Sequence, residues 1–167
     1  AALSWMGGVL TATHRWGPAA RESGPIDGGA ACYRVYRAAC GRFLSLAALE
    51  PRFWAAFCTA VGRPDWIARH DEPTPQTALV AELEALFATR PLREWAALLE
   101  PLDCTFEPVA EPAELLDHPQ HRARGALSLA EDGIGDVPLP LVADGARPPP
   151  RRPLVEADLD TVLARWS

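Results

Sequence analysis

Residues 28–62, GGAACYRVYRAACGRFLSLAALEPRFWAAFCTAVG, constrain the fold more tightly than any other part of this 167-residue chain. Tyr33 and Val35, then Phe43, Leu44 and Leu46, form two short runs rich in aromatic, β-branched and long apolar residues, as half-buried strands require. Between them Ala38-Ala39-Cys40-Gly41 offers a turn, because Gly41 can adopt the positive φ that a tight hairpin needs. Pro51 suits the first turn of a helix, where its missing N–H has no intrahelical partner to lose. Phe53, Trp54, Phe57 and Val61 then recur at helical spacing, and Gly62 is the natural stop. The stretch predicts a β-hairpin feeding a helix. Glu50 falls at the handover, where free N–H groups and the helix dipole favour a negative charge.

The flanking segments read less sharply. Ala1 to Leu10 is apolar without the basic start of a signal peptide and reads as the end of a helix. Residues 11–27 hold two Gly-Pro breaks and no apolar periodicity, which predicts a connector lying across another surface. His14 and Trp16 there are either ligand contacts or side chains that pin a loop. After a polar link from Arg63 to Thr74, Leu79, Leu83, Leu86 and Phe87 predict an amphipathic helix capped by Thr74 and ending near Arg90. Pro91 opens a second helix containing Leu92, Trp95, Ala96 and Leu99, which Pro101 stops. Residues 104–109 read as a strand that Pro108 confines to an edge or an end. A short helix and turn follow, then two weak strands between Leu127 and Val142. Residues 144–153 form a stiff proline-rich linker, and Leu154, Leu159, Val162, Leu163 and Trp166 a terminal amphipathic helix. The reading is an α+β domain over 28–143, with a connector at 1–27 and a return linker plus helix at 144–167.

Composition removes several classes of function. A net charge of −6 argues against a nucleic-acid surface, which needs a basic face. All 16 basic residues are arginine, so a Schiff-base or phosphate-loop lysine is excluded. Cys32, Cys40, Cys58 and Cys104 lack a CxxC pair or a compact framework spacing, which favours reduced thiols in a cytoplasm. No apolar run reaches the roughly 20 residues that span a bilayer. Cys104 as a nucleophile would need a nearby base and an electropositive setting, and neither is visible, so it reads as core. His118 and His121 have too few companion ligands for a metal site, and Pro119 interrupts their helical presentation. We expect no metal and no tightly bound cofactor.

The pattern of Gly28-Gly29, Tyr33-Arg34-Val35-Tyr36, the Cys40-Gly41 turn, Ala48-Leu49-Glu50-Pro51 and Phe53-Trp54 resembles the start of the C-terminal half of family III CoA-transferases, the CaiB/BaiF group. It is most similar to the α-methylacyl-CoA racemase branch, with Cys40 in place of the usual turn aspartate. The passage Asp117-His118-Pro119-Gln120 with Arg124-Gly125 is also similar to the family, whereas Leu154-Val155-Glu156-Ala157 replaces its Gly-Glu-His-Thr motif. The resemblance implies a small α+β domain of short antiparallel strands and amphipathic helices, whose linkers pack on a large domain absent from this chain. In the racemases, it implies, an Asp and a His of the N-terminal half exchange the α-proton of an acyl-CoA, and Glu50 lies beside that His. Gly28, Gly29 and Tyr33 would face the substrate, of which coenzyme A is a part. Transferases of the family instead use an N-terminal Asp as nucleophile and show a longer glycine run. The implied partners are the N-terminal half, as part of the chain or a second polypeptide, and a second copy in an interlocked dimer.

Chemistry gives Glu50 a matching role. Exchange of a proton α to a thioester needs an acid and a base with pKa values near the working pH. An ordinary Glu, with a pKa of about 4.3, is a poor lone base and a better partner that orients and tunes a histidine. The alternative is a Glu that only caps its own helix, worth at most about 1 kcal/mol at an exposed end. Three functions stay open: α-proton exchange on 2-methylacyl-CoA, CoA transfer between carboxylic acids, and a non-catalytic assembly module.

Overall fold

The alternating pattern of residues 33–47 produces the hairpin it predicts. In a computed structural model, which describes residues 6–18, 20–130, 133, 135–138, 145, 158, 160, 163 and 164, β1 (Tyr33–Arg37) pairs antiparallel with β2 (Phe43–Ala47), Tyr33 opposite Ala47 and Arg37 opposite Phe43. Gly41 takes φ +84° in the turn, which is closed by Ala38 N–H donating to Arg42 O at 2.8 Å. Tyr36, Leu44 and Leu46 turn inward and are buried, while Val35 and Phe43 remain exposed on the other face. β3 (Phe106–Pro108) joins the free side of β2, and the order β1-β2-β3 places the proline on an edge strand, where its missing N–H costs no ladder bond.

Helices that follow the hairpin cover the inward face. α1 (Gly7–Trp16) precedes the sheet, α2 (Pro51–Ala60) follows β2, and α3 (Thr77–Phe87) and α4 (Leu92–Leu99) precede β3. Phe87 is fully buried where the apolar stripes of α2, α3 and α4 meet, its ring centroid 5.0 Å from Tyr36, 5.9 Å from Phe57 and 5.2 Å from Trp95. Trp54 stacks on Phe57 and donates its indole N–H to Trp66 O at 2.9 Å. The chain clusters into two units, 1–109 and 110–167. The second contains a 3-10 turn (Pro112–Glu114), α5 (Pro119–Arg124) and the short pair β4 (Ser128–Leu129) and β5 (Gly135–Asp136). Most of the proline-rich linker and the terminal helix expected at 154–166 lie outside the described residues.

Three expectations need correction. The connector is helical as far as Trp16, because the break comes at Gly17-Pro18; Thr13 donates its hydroxyl to Val9 O and its carbonyl accepts Gly17 N–H. The polar link contains a 3-10 helix (Pro64–Arg69) that buries Trp66 completely, a single anchor too isolated among charges to show periodicity. α3 starts at Thr77, so Thr74 is not its cap.

Gln76, at the position before that helix, spends its amide elsewhere. It is 5% exposed, accepts Ala31 N–H at 2.9 Å and donates to His70 O at 3.0 Å and Glu72 O at 2.8 Å, while its own N–H donates to Gly29 O at 2.8 Å. Truncating the amide strands one donor and two acceptors, so Gln76→Ala should cost about 2–3 kcal/mol. A denaturant midpoint that falls with an unchanged slope would show it; an unmoved midpoint would mean the amide is dispensable.

Candidate active-site junction

The strand-to-helix junction is fixed by its backbone. Ala47 N–H donates to Thr105 O at 3.0 Å, Ala48 N–H to Cys32 O at 2.8 Å and Leu49 N–H to Ala47 O at 2.9 Å. Glu50 then takes the extended conformation of a helix N-cap, φ −79° and ψ 135°, and its carbonyl receives the N–H groups of Phe53 and Trp54. Its side chain makes no capping hydrogen bond. Buried Phe53 and Trp54 anchor α2 instead. Glu50 is exposed, and its carboxylate has no hydrogen-bond or ion-pair partner among the described residues. A rigid backbone thus presents at the start of α2 a carboxylate that no side-chain hydrogen bond engages.

Tyr33 stands across the hairpin from Ala47 on the outward face, half-buried, with a hydroxyl that has no partner among the described residues. With Gly28, Ile26, Asp27 and Ala47 it lines an open concavity of about 560 Å³. Glu50 and Gly29 do not line it. Both glycines have backbone reasons to be glycine. Gly28 adopts φ +102°, and a Cβ on Gly29 would lie 2.6 Å from Gly24 O. The structure therefore brings Gly28 and Tyr33 to one concavity, places Glu50 at the end of the adjoining strand, and packs Gly29 against the loop beneath.

Other candidates fall elsewhere. His14 is exposed on α1. Cys104 is fully buried, its thiol pushed up by burial and directed at Leu99 O, and is no nucleophile. The rings of His118 and His121 are 4.7 Å apart, and Pro119 opens α5 directly after His118. Among the described residues no three His, Cys, Asp or Glu side chains group as metal ligands. None of the described helices is long and apolar enough to cross a membrane.

Sequence reasoning missed two charged clusters, because neither has a spacing signature. Arg34 donates Nη1 to Gly28 O at 2.5 Å and Nη2 to Glu22 Oε2 at 2.9 Å. Glu82 on α3 receives Arg69 at 2.6 Å, Arg63 at 2.9 Å and the Trp66 indole at 3.0 Å. Arg69, Arg63 and the indole, in that order, lower its carboxyl to about 2 from an ordinary 4.5. A depressed carboxyl stabilises the fold fully above the unfolded value and loses that contribution as pH falls through the folded one. Stability should drop between about pH 4.5 and pH 2. Glu82→Gln should flatten that fall in an acid titration of the melting temperature; an unaltered profile would dismiss the cluster.

The chain belongs to CoA-transferase family III, whose sequence model matches residues 1–154. Its relatives include human alpha-methylacyl-CoA racemase, 27% identical over 130 residues, 74% of this chain and 33% of the racemase. The mouse alpha-methylacyl-CoA racemase is 28% identical over 106 residues, 60% of this chain and 27% of that protein. The chain thus spans about a third of the curated relatives it matches. A CAIB/BAIF family protein from Brucella suis shares the fold with a TM-score of 0.70 at 17% identity, over 97% of this chain and 44% of that one. Rv3272 from Mycobacterium tuberculosis does so with a TM-score of 0.63 at 20% identity, over 87% and 39%. The α+β architecture of short antiparallel strands and helices is the one these proteins contain.

Proposed function

We propose that this chain is the C-terminal portion of an acyl-CoA racemase that exchanges the α-proton of 2-methylacyl-CoA thioesters together with an N-terminal half. The observation that carries this is the free Glu50 carboxylate on a backbone fixed by three hydrogen bonds. In the reaction a base removes the α-proton, the electron pair passes into the thioester carbonyl as an enolate, and an acid returns a proton to the opposite face. No net oxidation occurs, so the substrate needs only acid–base partners. Glu50 would hydrogen-bond and orient a histidine supplied by the other half and raise its basicity. Gly28 and Tyr33 would form the wall against the acyl-CoA, with Gly29 closing the loop beneath them, and coenzyme A would enter only as part of the substrate.

The partner would be that half, as part of a longer chain or as a second polypeptide carrying Asp, His and the CoA pocket, with a dimer as the working assembly. Cys32, Cys40, Cys58 and Cys104 are unpaired, which suits a reducing cytoplasm. The family name supports one other reading, CoA transfer between carboxylic acids. Incubating the assembled enzyme with a 2-methylacyl-CoA in deuterated water separates the two. Deuterium at the α-carbon without an acceptor acid supports the racemase. Turnover that appears only with an acceptor carboxylate would replace it with the transferase.

A further inference from the structure

Arg34 lies between Tyr33 and Val35 on β1, and its side chain is 20% exposed. One planar guanidinium reaches the Gly28 carbonyl, the Glu22 carboxylate at 2.9 Å and, more loosely, Glu84 of α3 at 3.8 Å. It therefore ties three parts of the chain together: the loop before the sheet, the first strand and α3. The concavity of about 560 Å³ and a second of about 220 Å³ share Glu22, Gly28 and Arg34 as lining, so this cluster forms the wall between them.

The two carboxylates beside the guanidinium decide what it can do. A substrate phosphate would have to displace both of them, which makes Arg34 a poor anion ligand. Its hydrogen bond to Gly28 is a different matter. Gly28 sits at φ +102°, a conformation open to glycine, and its carbonyl direction sets the path of the chain into Tyr33. Gln76 separately holds Gly29 and Ala31. Gly29 and Ala31 thus keep a hold of their own, whereas the Gly28 carbonyl is held by Arg34.

We propose that Arg34 is a positioning residue, a latch that holds the Gly28–Tyr33 turn and the loop from Glu22 in the shape that receives the acyl-CoA. This rests on the reading of Gly28 and Tyr33 as substrate contacts. Lysine replaces the latch incompletely, because a single ammonium cannot present the two fixed donors of the guanidinium fork.

The test is steady-state kinetics of the assembled enzyme with a medium-chain 2-methylacyl-CoA, comparing wild type, Arg34→Gln, Arg34→Lys and the remote stability variant Glu82→Gln. Loss of uniform substrate binding raises KM and spares kcat, so Arg34→Gln should raise KM about tenfold with kcat within about twofold. Arg34→Lys should fall between, and Glu82→Gln should lower stability without moving KM. Backbone amides of residues 28–33 should exchange faster in Arg34→Gln, while those of Trp54 and Phe57 stay protected. An unchanged KM in Arg34→Gln, while Glu50→Gln lowers turnover about a hundredfold, would overturn the latch and leave the site reading standing. A KM change that Glu82→Gln reproduces would also overturn it. Full activity in Glu50→Gln would overturn the site reading, and the latch with it.

Discussion

Glu50→Gln should lower α-proton exchange by the assembled enzyme about a hundredfold, within the range that a positioned acid–base group contributes. The substitution keeps the size of the side chain and removes its charge. A histidine that relied on this carboxylate would lose both its orientation and the stabilisation of its protonated form. The melting temperature should hardly move, because Glu50 is exposed and its carboxylate has no partner among the described residues, and such surface changes stay within about 0.5 kcal/mol. Lost exchange with an unchanged melt is therefore the signature. A full rate would remove Glu50 from the mechanism, and a large drop in melting temperature would return it to a structural role.

Phe87→Ala should have the largest effect on folding, about 3–5 kcal/mol. Its ring is fully buried and meets Tyr36 of β1, Phe57 of α2 and Trp95 of α4, so its removal opens a cavity bounded by three elements. The Trp95 indole also donates to the Phe87 carbonyl at 3.0 Å, which fixes the rim of that cavity and limits collapse. Against a typical domain stability of about 5–15 kcal/mol, the variant should be marginal or unfolded at 37 °C. Near-ultraviolet circular dichroism, which reports packed aromatic rings, would show it. A native spectrum and melting temperature would mean that the cluster can close over the gap.

What the sequence made legible follows from how local each signal is. The hairpin and α2 are written in nearest-neighbour terms: alternation over five residues, a glycine at the turn and a proline at the first helical position. The junction at Glu50 could be read for the same reason. Trp66 could not, because one buried indole in a charged link carries no period. Gln76 and Arg34 act over 45 and 6 residues through backbone groups, and no spacing rule connects a glutamine to a distant amide or an arginine to a glycine carbonyl. The second half of α1 is not legible because Thr11 and Thr13 mask helical periodicity, although the Thr13 hydroxyl bonds back into the helix. The free state of the Glu50 carboxylate also needed coordinates, since the sequence allows both a capping and an uncommitted side chain.

Native mass spectrometry of the protein isolated from its own host tests most directly whether catalysis is shared with another half. We predict a species in which this chain is joined, covalently or as a complex, to a segment carrying the Asp, the His and the coenzyme A pocket. A species composed only of copies of the 167-residue chain would contradict that and leave an assembly module in place of an enzyme.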